Sequence, residues 1–493
     1  MKSRHHVALS LLTLCISQQL YAQTNANSVQ SASGVQATAA ATSNASSSDV
    51  PSVTLDAITV SANAKTGTAL AQKISEMPAV TQVIREADIQ AQATGNRTVG
   101  DILAQLVPSL GVSSGSVSNY GTTMHGRPVQ YLLNGVPLSG SRSLSRELNS
   151  IDPEQIERVE VLSGATSIYG AGAAGGLINI VTKSTAGYGL TRQTRLGINS
   201  SREFKSDSLG YHVGQSIGYG GERVYGNVDV DYETTGGKFD SHGDRISPDA
   251  NQTDNQDTDT ISVNANLGFD ISDTKTMNLA ATYYDSEQDT DYGVDYGDNL
   301  SVLQEGTTPS LRAIDGAKIE NQPYNTKSSV NLNYNDSDFL GSNLSLTGYY
   351  RDEKARFYPS GKSFTSQAKD VWVNNGLTDA DTLGKLLGAS VVVTQSEADI
   401  EVIGLRAAMQ TETDVMGKNT LFSYGVDFER EESEQTYYGQ DLTTFLASNG
   451  LTSTSNGLSY NGGPKTTIDK WGAFVNADVD MTDKWHTSAG VRY

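Results

Sequence analysis

From residue 187 to residue 493 the sequence alternates with a period of two, and this limits the fold more than any other feature. "RVYGNVDVDYE" puts Val224, Val228, Val230 and Tyr232 on one face and Tyr225, Asn227, Asp229 and Asp231 on the other. "ISVNANLGF" sets Ile261, Val263, Ala265, Leu267 and Phe269 against Ser262, Asn264, Asn266 and Gly268. "SSVNLNY", "NLSLTGYY", "FSYGVDFE" and "GAFVNADVDMT" repeat the design. Successive strand residues point to opposite faces, so each segment has one apolar and one amide- and carboxylate-rich face. A soluble sandwich and a water-lined membrane barrel both have two-faced strands. Three features favour the barrel. The polar face is acidic and amide-rich in strand after strand. Tyrosines gather in pairs (Tyr283 and Tyr284, Tyr349 and Tyr350, Tyr437 and Tyr438) as at a membrane interface. The links alternate between short and long, as periplasmic turns and extracellular loops do. About eleven strands are expected on this pattern.

Composition agrees with a barrel. Hydrophobic residues are 37% of the 493, low for a packed interior of that length, and no run reaches the span of a membrane helix. A net charge of −21 argues against nucleic acid as a partner. Residues 1–22, with Lys2, Arg4 and the apolar stretch Val7 to Ile16, read as a secretory signal peptide ending at Ala22. The only cysteine, Cys15, lies inside it. Bulky Leu14 before it argues against lipid attachment, and the mature chain is expected to hold no disulfide or thiolate metal site. Residues 23–54 are Ser, Ala, Asn, Thr and Gln with few large apolar groups and read as a flexible linker. "LDAITVSA", residues 55–62, is an isolated extended segment.

Residues 63–186 read as a small mixed domain. Thr98 can cap a helix in "TVGDILAQLVPSLG" that Pro108 and Gly111 end. "VQYLLNGVPL" reads as a strand with a turn at Asn134 and Gly135. Asp152 and Pro153 suit a helix start that leads into a strand ending at Leu162. "IYGAGAAGGLINI" holds a GxGxxG at Gly170, Gly172 and Gly175. A dinucleotide loop needs a helix after the last glycine, but β-branched "LINIVTK" follows, and no acid stands near 20 positions on. The glycines instead read as a crossover between two strands, allowing positive φ and close packing.

Taken together, "IERVEVLSGATSIYGAGAAGGLINIVTKS", "GDILAQLVPSLGV" and "MHGRPVQYLLNGVPL" resemble the plug domain of TonB-dependent outer-membrane receptors, and "LDAITVSA" resembles the TonB box. The resemblance implies an outer-membrane antiparallel β-barrel of the 22-strand type with a mixed α/β plug in its lumen. It implies a monomer in outer-membrane lipid that binds an iron(III)–siderophore complex and is driven by the TonB energy-transducing complex. Within the box, Asp56, Ile58, Thr59 and Val60 would meet that partner. "SGATSIYG" is similar to the branch that takes up hydroxamate–citrate chelates of the aerobactin type. A catecholate chelate, haem or cobalamin are alternative ligands, and a passive porin or adhesin barrel is the alternative class. Two positions depart from the family. Ser163 stands where most members carry an arginine, and His125 where many do; those arginines help lock plug to barrel, so either that lock is missing here or Arg127 alone serves it.

No nucleophile–base pair is visible, so no enzyme is expected. The six histidines lack metal-ligand spacing, so no intrinsic metal or cofactor is expected and iron would arrive chelated. The segment 115–150 holds His125, Arg127, Arg142 and Arg146 against the one acid Glu147. It reads as a positive island in an acidic chain. The resemblance implies that its loops face outward, with Tyr120, His125, Arg127, Arg142 and Arg146 as candidate ligand contacts. Ordinary solvated arginines are the alternative. Eleven strands from 187 to 493 would end on the opposite side from their start, so roughly 300 further residues are expected for barrel closure.

Overall fold

The computed structural model describes residues 80–93, 97–113, 116–138, 140, 144–164, 168, 172–184, 189–249, 254–298, 300, 312–363, 391–482 and 485–493. The segments 1–22, 23–54 and 55–62 lie outside these residues, as does Arg142.

The N-terminal part begins with β1 (Val80–Arg85), α1 (Glu86–Gln92) and α2 (Val99–Leu106). Thr98 accepts from the Asp101 amide at 3.2 Å, and Asp101 accepts from the Thr98 amide at 3.0 Å. This reciprocal cap fixes where α2 starts. The hairpin of β2 (Val129–Leu133) and β3 (Val136–Pro137) turns at Asn134 and Gly135, both at positive φ (51° and 81°). That is the Asn-Gly geometry whose twist matches the flanking strands. Asp152 caps a single 3-10 turn, Pro153–Gln155, rather than a helix. The alternation of the next strand starts at once and takes over the chain. β4 (Ile156–Ser163) and β5 (Gly176–Thr182) follow.

Sheet order is β1-β4-β5-β2-β3, with β4 antiparallel to β5 and β5 parallel to β2. The glycine-rich link therefore folds the chain back between antiparallel neighbours and is not a crossover. Gly176 sits at φ 149°, and a Cβ there would meet the Leu162 carbonyl at 2.3 Å. Both helices and this sheet enclose one core that includes Ile84, Ile89, Ile102, Leu103, Leu133 and Ile178. Burying such a side chain stabilises by about 1.5–3 kcal/mol.

The C-terminal part is a 13-stranded sheet. It opens with β6 (Gly189–Ser200), β7 (Leu209–Gly220), β8 (Val224–Thr235), β9 (Thr258–Asp270) and β10 (Lys275–Gln288). Short loop strands follow: β11 (Tyr292–Val294), β12 (Ala313–Asp315) and β13 (Lys318–Ile319). Next come β14 (Tyr324–Phe339), β15 (Ser342–Arg356), β16 (Ser360–Ser363), β17 (Val391–Val415) and β18 (Lys418–Gln440). The chain continues through α3 (Leu442–Ala447), β19 (Thr452–Ser453), β20 (Ser455–Asn461), β21 (Thr466–Thr482) and β22 (Trp485–Arg492).

The main path of this sheet has eleven antiparallel strands, from β6 at one end to β22 at the other, with β16 and β20 as side branches. Links after β7, β9, β14, β17 and β21 are short, and those after β8, β10, β15 and β18 are long. Val294, Tyr296, Leu300, Tyr358 and Phe445 from the long loops pack with Val393 of β17 into a separate small core.

Burial in the sheet runs opposite to a soluble protein. On β8 the outward Val228 is 46% exposed while its neighbour Asp229 is 0% exposed. Leu267, Leu332, Leu405 and Val426 are likewise exposed, and Asn264, Asn331, Asn333 and Glu431 are buried. An apolar outer wall around a polar lumen is stable only in lipid, which removes the sandwich alternative.

Candidate ligand cavity and the plug contact

The mixed domain packs on the polar face of the large sheet through a dispersed set of hydrogen bonds. Asn266 of β9 donates to the Lys183 carbonyl at 2.7 Å, and Lys327 of β14 donates to Ser150 at 3.2 Å. Arg406 of β17 donates to the Ile168 carbonyl at 2.6 Å. Gln155 donates to Asp231 of β8 at 3.1 Å, and Arg195 of β6 pairs with Glu154 at 3.5 Å. Apart from the Asn266 bond these are charge-assisted and stronger than neutral ones, and together they hold one body against the other.

Between the two bodies lies a cavity of about 1120 Å³. Its lining includes Tyr120, Gln130 and Tyr131 from the plug side and Tyr349, Lys470 and Trp471 from the barrel side. Tyr120 is 77% exposed. Burial, with the Glu147 charge second, pushes the Tyr131 phenol above its usual range, so it stays protonated. Tyr349 donates to Glu429 at 2.8 Å.

The cations of the cavity are engaged by carboxylates or carbonyls. Lys470 pairs with Glu429 at 2.8 Å and Glu431 at 2.9 Å, Arg492 pairs with Asp427, and Arg406 serves Ile168. Among the described cations of the expected positive island, His125, Arg127 and Arg146 are not part of this lining. Its surface offers hydroxyls, amides and aromatic rings beside balanced charges.

The sequence-chosen residues separate. Tyr120 lines the cavity. His125 and Arg127 are exposed on the turn Met124–Arg127, where His125 (φ 51°) and Gly126 (φ 73°) are left-handed, and neither lines the cavity. Arg146, expected on an exposed loop, is 1% exposed. Its guanidinium stacks 4.7 Å from the centroid of the Phe357 ring. Burial lowers its pKa to about 10 while the Glu353 charge opposes the shift, so it remains cationic at neutral pH. The loop turns inward because Leu148 and Ile151 join the plug core on the same stretch of chain. Exposed Arg127 takes no part in the plug–barrel bonds described above. Those fall instead on Glu154, Gln155, Arg195, Asp231, Lys327 and Arg406, which no local motif singles out.

Residues 73–177 match the model of the TonB-dependent Receptor Plug Domain. The chain is 33% identical over 425 residues to the ferric aerobactin receptor of Klebsiella pneumoniae, covering 85% of this chain and 53% of that receptor. It is 31% identical over 438 residues to the rhizobactin receptor of Rhizobium meliloti, covering 87% and 54% respectively. The chain thus spans about half the length of the curated relatives it matches. Among solved structures it is similar to the unliganded ferric citrate transporter FecA, with a TM-score of 0.59 at 12% identity over 86% of this chain and 57% of that one. It also matches the siderophore receptor PirA from Acinetobacter baumannii, with a TM-score of 0.57 at 16% identity over 86% and 57%. Residues 73–177 thus carry the plug sequence of the TonB-dependent receptors, and the inside-out sheet beside it is similar to the barrels of such receptors.

Proposed function

We propose that the protein is an outer-membrane receptor that binds a ferric siderophore of the hydroxamate–citrate type and passes it to the periplasm. The observation that carries this reading is the plug: a folded domain with its own core, seated on the polar face of the sheet beside a large cavity. A passive porin needs no such domain. Relatives named as ferric aerobactin and rhizobactin receptors support the ligand class.

In this reading the apolar outer face meets lipid, the protein works as a monomer, and residues 1–22 direct it to secretion. Asp56, Ile58, Thr59 and Val60 add as a strand to the periplasmic TonB partner. Tyr120 contacts the ligand directly, and the ligand brings its own iron. Residues 63–186 make up the plug and 187–493 the barrel portion.

Growth on an iron-loaded siderophore as sole iron source, with and without the energising complex, tests the class. TonB-independent growth would return the porin reading. Radiolabelled uptake across hydroxamate, catecholate, haem and cobalamin ligands tests the ligand. Uptake confined to a ligand outside the hydroxamate–citrate group would overturn that part alone.

A further inference from the structure

We propose that Asp152, His212 and Asp231 form a proton-responsive latch between plug and barrel, fastened when the group carries an extra proton and loosened when it does not. Asp152 belongs to the plug, and His212 and Asp231 stand on the adjacent barrel strands β7 and β8. Their nearest ligand atoms all lie within 4.8 Å of one another. His212 Nε2 lies 3.3 Å from Asp231 Oδ1, and that same oxygen accepts from Arg195 at 2.7 Å. Asp231 Oδ2 accepts from Gln155 of the plug at 3.1 Å.

A divalent cation could use three such ligand atoms, but both oxygens of Asp231 are engaged and the Arg195 guanidinium already supplies positive charge at that oxygen. The arrangement is an ion-pair network rather than a metal centre. Gly214, paired with Asp231 across the two strands, makes the room for it: a Cβ there would lie 2.0 Å from Asp231 Oδ1 and 3.0 Å from Arg195 Nε.

The charge balance makes this network respond to protons. From the plug, Asp152 and Glu154 face it, with Arg97 lining the same crevice as Asp152. From the barrel come Arg195 on β6, His212 on β7, Asp229, Asp231 and Glu233 on β8, Tyr284 on β10 and Lys327 on β14. Carboxylates outnumber the permanent cations Arg97, Arg195 and Lys327, and the site is only partly open to water. With His212 neutral, the carboxylates of Asp152 and Asp231 repel each other across the plug–barrel boundary. One added proton, on His212 or on Asp152, turns that repulsion into a hydrogen bond or an ion pair.

Asp152 is held well above the ordinary carboxylate range, first by burial and then by the Asp231 charge. A group raised in the assembled state stabilises it at low pH, and the stabilisation is lost as pH rises through the raised value. The latch is therefore tight in acid and slack in base.

Hydrogen–deuterium exchange of the full chain in detergent, corrected for intrinsic rates, reads the latch directly at the amides of residues 154–158. Protection should fall about tenfold or more from about pH 5.5 to about pH 8.5, because one unit of pKa difference between fastened and released states is about tenfold. Asp152→Asn keeps a side-chain oxygen to cap the 3-10 turn but removes the repulsion, and its protection should be flat with pH. His212→Gln should move the wild-type transition to lower pH, leaving only the carboxylate pair to titrate. Wild-type protection that does not vary with pH would overturn the proposal. So would an Asp152→Asn protein that keeps the wild-type pH profile, since the titrating group would then lie elsewhere.

Discussion

Arg146 and Tyr120 sit 26 positions apart in one plug segment, and the sequence presents them alike as polar loop residues. Their environments are opposite. Arg146 is buried under Phe357 with Glu353 near it, so its removal takes a cation from beside a buried carboxylate and from an aromatic face. Arg146→Ala should lower stability by about 2 kcal/mol or more, the worth of a desolvated cation–ring contact, read as a lower midpoint of thermal unfolding in detergent. Tyr120→Ala should leave that midpoint in place and weaken siderophore binding about tenfold, as loss of an exposed aromatic contact of about 1.4 kcal/mol would. Unchanged binding by Tyr120→Ala would remove it from the ligand site. The sequence could not separate the two, because the groups that bury Arg146 come from β15 and the loop beyond it, some two hundred positions later. Composition gave the segment a positive sign, and tertiary contact spent that charge on structure.

Elements whose rules are local were readable in advance. The Thr98 cap needs only Asp101 three residues on, and the Asn134-Gly135 turn needs only its own φ angles. Period two marked the barrel strands, because a strand's two faces are written residue by residue. The direction of the link between β4 and β5 was not readable: whether a strand returns antiparallel or crosses over depends on which neighbour it pairs with, and β5 pairs with both β4 and β2. The glycines of that link have a steric task that the nucleotide motif only mimics. At Gly175 a Cβ would lie 2.7 Å from the carbonyls of Arg127 and Met124, and Gly176 combines such crowding with a left-handed φ. Gly176→Ala should therefore open the edge between β4 and β5 and destabilise the plug by more than about 1 kcal/mol. Limited proteolysis should show faster cleavage within residues 163–176 while the barrel fragment stays intact. Wild-type resistance in this variant would mean that the backbone can shift to accept the methyl group.

At the scale of the molecule, the exposed leucines and valines around buried asparagines and aspartates decide the environment, and the plug's polar bonds to the lumen decide how it can move. A domain held by scattered hydrogen bonds and one small apolar patch, in which Ile168 and Leu177 cluster with Ala408 and Phe474, can be released without unfolding either body. Proline at Ile58 or Val60 removes a backbone donor from the segment proposed to meet TonB. Such variants should bind siderophore normally and fail to accumulate it, and undiminished uptake would refute that role. Strand length has a further consequence. β17 and β18 have 25 and 23 residues, whereas about 10 cross a bilayer. At about 3.3 Å per residue the longer strand runs about 80 Å, so even when tilted it rises well clear of the hydrocarbon. With the long loops outward, this hairpin lifts the small core around Phe445 away from the lipid headgroups. An antibody or a phage tail fibre arriving at the cell would then meet that raised platform before it met the barrel.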